Sequence, residues 1–167
     1  MAELEGSISE FYKTCANIWA EEKEFWSGNT RDEIRHAANI KEMANILSRK
    51  PERFELGRPF NVFSLQTTIS GVKGNIQKLK SGELTQDQAL FLSLDMENSI
   101  LESKYSEILK TNDLEYQNLV LETVVQTVAH KSAIEKKVKE KRGRPFQGVF
   151  APQNPPTKTP TKEIIPR

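Results

Sequence analysis

Glu33 and His36 stand three residues apart in Arg31-Asp32-Glu33-Ile34-Arg35-His36-Ala37. On an α-helix that spacing sets a carboxylate and an imidazole on one face, about one turn from each other. Two such side chains can reach the same metal ion from one rigid element. The chain has only two histidines, and the second, His130, lies in the second of two similar halves. Leu4-Glu5-Gly6-Ser7-Ile8-Ser9-Glu10 and Met96-Glu97-Asn98-Ser99-Ile100-Leu101-Glu102 share two Glu, one Ser and one Ile at a constant offset. Each stretch precedes a turn and then a helix that carries a histidine. Glu5, Glu33, His36, Glu97 and His130 are therefore the candidate metal ligands. Carboxylates gathered in an interior repel one another unless a cation or protons compensate. Carboxylate oxygens with imidazole nitrogens suit iron or manganese, and histidine also admits zinc.

For these groups to meet, two helical hairpins must hold them at one level. Leu4, Ile8, Phe11, Tyr12, Cys15 and Ala16 recur at helical steps and predict a helix from Leu4 to about Ala16. The pattern loses phase over Asn17 to Glu21, the expected turn. A second helix is expected from about Glu22 to Leu47, with Phe25, Trp26, Ile34, Ala37, Ile40, Met43, Ala44 and Leu47 inward. Lys50-Pro51 ends it, because proline lacks the donor to continue. Residues 51 to 62 read as a connection, followed by a helix from Val62 to about Lys80 that Ser81-Gly82 stops. Thr85-x-x-Gln88 matches a capping box opening a long helix from about Gln86 to Leu109. Thr111-Asn112-Asp113 is a turn signal, and the last helix runs from about Leu114 to Lys139.

Equal distance from a turn puts two residues at equal height in an antiparallel hairpin. Residue 19, in the first expected turn, lies midway between Glu5 and Glu33. Residue 112, in the second, lies midway between Glu97 and Thr127, and Thr127 stands to His130 as Glu33 does to His36. A competing reading puts the first turn at Ser27-Gly28-Asn29. Thr30 would then be an N-cap and Glu33 its capping-box partner, serving the backbone instead of a metal. Tyr12, Phe25 and Trp26 read as core aromatics. The basic run from Lys136 to Arg142 reads as the solvated end of a helix.

At 167 residues and 19.0 kDa the chain can bury a sizeable core as one domain, expected over residues 1 to 142. Hydrophobic residues at 37% and charged residues at 28% suit amphipathic helices. A net charge of +1 gives no nucleic-acid footprint. The single cysteine, Cys15, excludes an intramolecular disulfide and any Cys-x-x-Cys site within the chain. The acidic start lacks the marks of a signal peptide, and no run approaches the roughly 18 apolar residues of a membrane span. A soluble cytoplasmic protein is expected, with no nucleic-acid or membrane partner. From Gly143 to Arg167 six of the eight prolines gather, predicting an extended, disordered Pro-rich tail. Through Phe146, Val149 and Phe150 such a tail could cover a groove or bind a partner.

These residues together resemble the rubrerythrin-like branch of the ferritin-like superfamily, over roughly residues 3 to 140. The likeness is carried by Glu5 with Tyr12 following, Phe25-Trp26, and Glu33-Ile34-Arg35-His36-Ala37. In the second half it is carried by Ala89, Glu97 with Ser99, and Thr127-Val128-Ala129-His130. Such bundles hold two metals with a Glu from each of two helices and a Glu-x-x-His from each of the other two. The resemblance implies an all-α, antiparallel four-helix bundle with a long crossover between its second and third helices, here containing an extra helix. It implies one or two non-haem iron ions, oxidation of ferrous iron by dioxygen or peroxide, and admits a homodimer. Two departures bear on activity. Thr127 replaces the second Glu of Glu-x-x-His, and the rubredoxin-type cysteine centre that could donate electrons is absent. Against the iron protein stands a second reading, a degenerate-site bundle acting as a non-enzymatic interaction or metal-sensing module.

Overall fold

The computed structural model describes residues 1–99 and 107–142. Helix α1 (Ala2–Ile18) buries Leu4, Ile8, Phe11, Tyr12 and Cys15 at the expected helical steps. Trp19 leaves the helix, a 3-10 turn covers Ala20–Glu22, and α2 (Lys23–Arg49) returns. Helix α2 runs unbroken through Ser27-Gly28-Asn29. The Thr30 hydroxyl donates to the Trp26 carbonyl at 2.8 Å inside that helix, so the capping role for Thr30 and Glu33 is overturned.

The inward face of α2 also differs from the one expected. Ile34 is 58% exposed and Ala44 is exposed, while Trp26, Asn29, Thr30, Glu33, His36, Asn39, Met43 and Ile46 are buried. Those eight follow steps of three and four on one continuous face. The expected apolar set drifts off it, because the middle of the true inner face is polar.

Helix α3 (Val62–Lys80) has the bounds predicted for it. It starts where Asn61 Oδ1 accepts from the amides of Phe63 and Ser64, and its Leu65, Ile69, Val72, Ile76 and Leu79 line the core beside α1. Helix α4 (Gln86–Glu97) opens on the predicted Thr85–Gln88 capping box. It does not reach Leu109, which lies in a strand instead. Strand β1 (Phe54–Leu56) pairs antiparallel with β2 (Leu109–Thr111), Phe54 opposite Thr111 and Leu56 opposite Leu109. Three residues are too few for an alternation to register, which is why both strands read as connection or helix.

Asp113 opens the last helix, α5 (Leu114–Arg142): its Oδ1 accepts from the amides of Glu115 and Tyr116, and its Oδ2 from Lys50 and Arg53.

Helix α1 packs on α2 and α3, α2 on α5, and α4 on α5. Residue numbers climb on α2 as they fall on α5 through Phe25–Lys137, Glu33–His130 and Asn39–Thr123, so these two run antiparallel. The Gln86–Lys141 and Glu97–His130 contacts give the same sense to α4 and α5. Along α2, Trp26 sits in the larger apolar cluster and Met43 with Ile46 in a smaller one by Tyr116. Glu33 and His36 fall between the two. The described chain is thus mostly helical, and no described helix is long and apolar enough to cross a membrane. Glu102 and the tail from 143 to 167 lie outside the described residues.

Candidate metal centre

Glu33 is the hub of the polar layer. Its Oε2 lies 3.1 Å from His36 Nδ1, one turn along α2, and its Oε1 lies 3.0 Å from His130 Nδ1, brought in by α5. The two imidazole rings are 5.3 Å apart between centroids. His130 Nε2 meets Asp32 Oδ2 at 2.9 Å, while its Nδ1 is 3.9 Å from Glu97 Oε1 on α4. The Tyr12 hydroxyl, from α1, donates to that same Glu97 oxygen at 2.9 Å. Glu5 is fully buried on α1. The Ser9 hydroxyl meets the Thr30 carbonyl at 3.5 Å, and one turn farther from the hairpin bend this register sets Glu5 level with Glu33. On the far side, Asn39 Nδ2 donates to Thr123 Oγ1 at 3.2 Å and ties α2 to α5 one turn on.

The ionisable groups of this layer shift one another. Burial raises the Glu33 carboxyl, but the hydrogen bonds and electrostatic attraction of His130 and His36 outweigh it and bring the pKa down to about 2. Burial lowers His130, yet Glu33, Asp32 and Glu97 reverse that and lift it to about 9. Burial, then the Glu33 charge, push Glu97 up to about 7 against His130 and Tyr12. Burial acts to raise Asp32, and the bonds to His130 and Arg35 bring it below its ordinary value. Without a cation the layer is an imidazolium between two acids, with a third acid that takes up a proton near neutrality.

The donor set fits one cation. Glu33, His36 and His130 each offer an atom, all within 4.8 Å of one another. His36 Nε2 is buried with no hydrogen-bond partner among the described residues, which costs free energy as it stands. A proton on His36 Nδ1 donated to Glu33 leaves the Nε2 lone pair available to a metal. Asp32 on His130 Nε2 supplies the outer carboxylate that orients a ligating imidazole through its other nitrogen.

Thr127 offers nothing comparable. Its hydroxyl donates to the Thr123 carbonyl of its own helix at 3.0 Å. The α4–α5 register sets Glu97 opposite His130, with Thr127 about one turn away, instead of opposite Thr127 as the midpoint at residue 112 suggested. Glu122 is exposed and turned to Gln126 and Arg35.

Four of the five sequence candidates (Glu33, His36, Glu97 and His130) thus lie in one linked cluster, and Glu5 is buried beside it. Asp32 was missed. It precedes Glu33 by one residue, so on α2 alone it points about 100° away from the ligand face. Only the approach of α5 gives it His130. Tyr12, read as a core aromatic, is one, and its hydroxyl also anchors Glu97. No protein-family model, curated protein or solved structure matches the chain.

Proposed function

We propose that this chain is a ferritin-like four-helix bundle that holds non-haem iron between α2 and α5, with manganese or zinc as competing occupants. The observation that carries the reading is the buried carboxylate of Glu33 gripping both histidines, with His36 Nε2 unpaired among the described residues beside it. Glu33, His36 and His130 would hold the ion, and Glu97 and Glu5 would bridge or complete its shell. Iron there would supply the redox chemistry for oxidising ferrous ions with dioxygen or peroxide. Asp32 orients His130, Tyr12 fixes Glu97, and the apolar clusters to either side exclude bulk water.

Protein expressed with iron should retain it, and His36→Ala/His130→Ala should not. Equal, near-zero iron in both would sink the reading.

A specific observation favours the alternative, a non-enzymatic interaction module. Helix α5 exposes Leu114, Leu121, Val125 and Val128 on the side away from the core, and Thr127 withholds the second carboxylate. Under that reading the Glu/His layer would act as a structural or metal-sensing element. Iron-dependent peroxide consumption would rule it out.

A further inference from the structure

Aromatic rings lead from the Glu/His layer to the surface in an unbroken line. The Tyr12 phenol donates to Glu97 Oε1 at 2.9 Å, and Glu97 in turn neighbours His130. The Tyr12 ring stacks on Trp26 with centroids 5.9 Å apart and planes 30° apart. Trp26 lies 6.2 Å from Trp19, which caps the C-terminal end of α1 and is half-exposed at the hairpin bend. Tyr12 and Trp26 are themselves fully buried. Apolar burial explains aromatic rings in a core, but not why an indole occupies position 26. Its Nε1 is buried with no hydrogen-bond partner among the described residues, a cost that phenylalanine would avoid.

We propose that Tyr12, Trp26 and Trp19 form a one-electron relay between the Glu/His centre and the surface at the α1–α2 bend. Its purpose rests on the metal reading above. An electron demanded at the centre leaves the Tyr12 phenol, and the phenolic proton passes along the existing hydrogen bond to Glu97 Oε1. Trp26 then returns an electron to Tyr12, and the proton moves back to the phenol oxygen. No base among the described residues meets the Trp26 N–H, so it keeps its proton as a radical cation and is a way station instead of a sink. Trp19 refills Trp26. An external one-electron donor, of the reduced-flavin or iron–sulfur class, refills Trp19. One electron enters, no proton is gained or lost, and no covalent skeleton changes. With a single cysteine, the chain holds no four-cysteine centre to do this itself.

The test uses the full chain in two forms. In metal-free protein, a flash-excited ruthenium polypyridyl oxidant in solution should produce a tyrosyl radical, seen by electron paramagnetic resonance, that disappears in Tyr12→Phe. Trp26→Phe and Trp19→Phe should cut that Tyr12-dependent signal about tenfold, with helical content unchanged. Because Trp19 is half-exposed, its variant keeps the experiment decisive should Trp26→Phe unfold. An undiminished Tyr12 signal in a folded variant overturns the relay, as does the lack of any Tyr12 signal in the parent chain. In iron-loaded protein, reduced methyl viologen should re-reduce the metal more slowly in Trp19→Phe at equal iron content. Equal rates overturn the relay. Protein that binds no iron but still passes the flash test overturns the metal reading alone and leaves the relay standing.

Discussion

Asp32 and Glu33 divide the work of holding His130 between them, one nitrogen each. Asp32→Asn keeps the shape but weakens the grip on Nε2, and should lower metal affinity about 10- to 100-fold in calorimetric titration. An unchanged affinity would remove Asp32 from the site. The same residues set the pH behaviour of the metal-free protein. His130 rises from 6.5 to about 9 on folding, so its contribution is full below 6.5 and is lost as pH climbs through 9. Glu97 is also raised, from 4.5 to about 7, so the folded state holds its proton more tightly and stability falls as pH rises through 7. Glu33 is lowered from 4.5 to about 2, and its contribution is lost only as pH falls through 2. Metal-free stability should therefore peak near pH 4.5, below which Glu33 loses its contribution, and drop by on the order of a few kcal/mol toward pH 9 as Glu97 and then His130 lose theirs. A thermal midpoint that climbs between pH 6 and 9 would contradict this. Metal binding must displace the His130 proton, so affinity should rise over the range where metal-free stability falls.

The elements differ in how firmly local chemistry sets them. Thr85 and Gln88 are a complete capping box within four residues, legible without any fold. Asp113 caps α5 and also receives Lys50 and Arg53 from the end of α2, so it joins two elements. Thr85→Ala should cost about 1 kcal/mol in denaturant unfolding, and Asp113→Ala should lower the midpoint further. If the two variants are equally stable, the Asp113 link between hairpins contributes nothing. Thr127 tests the pairing of α4 with α5. Thr127→Glu would add a carboxylate about one turn from Glu97 and His130 and should raise iron content toward a second ion per chain. If iron content stays as it was, the resemblance to a two-metal bundle fails at this position.

Across the whole molecule the polar layer lies between two apolar clusters, and a cation bound there would link α2 to α5. Chelation should lower the thermal midpoint of metal-loaded protein and leave that of His36→Ala/His130→Ala unchanged, because a ligand that binds only the folded chain stabilises it. Equal midpoints before and after chelation would place the metal elsewhere.

How much of this was legible follows from the range of each interaction. Helical steps in α1 and α3, the Thr85 cap, the Pro51 stop and the Glu33–His36 spacing depend on neighbours a few residues away, so the sequence by itself determined a helical chain with a carboxylate–imidazole pair on its second helix. The inner face of α2 departs from the apolar pattern at Ile34 and Ala44, which face outward, while Asn29 and Asn39 join the expected Glu33 and His36 inside, because polar partners on α5 and within α2 satisfy them. Strands β1 and β2, the end of α4, the His130–Asp32 contact and the α4–α5 register were decided by the tertiary structure alone. The strand pairing and the His130–Asp32 contact join residues more than fifty positions apart, and the α4–α5 register joins helices on either side of a long connection; no local pattern encodes the height at which two helices come to rest.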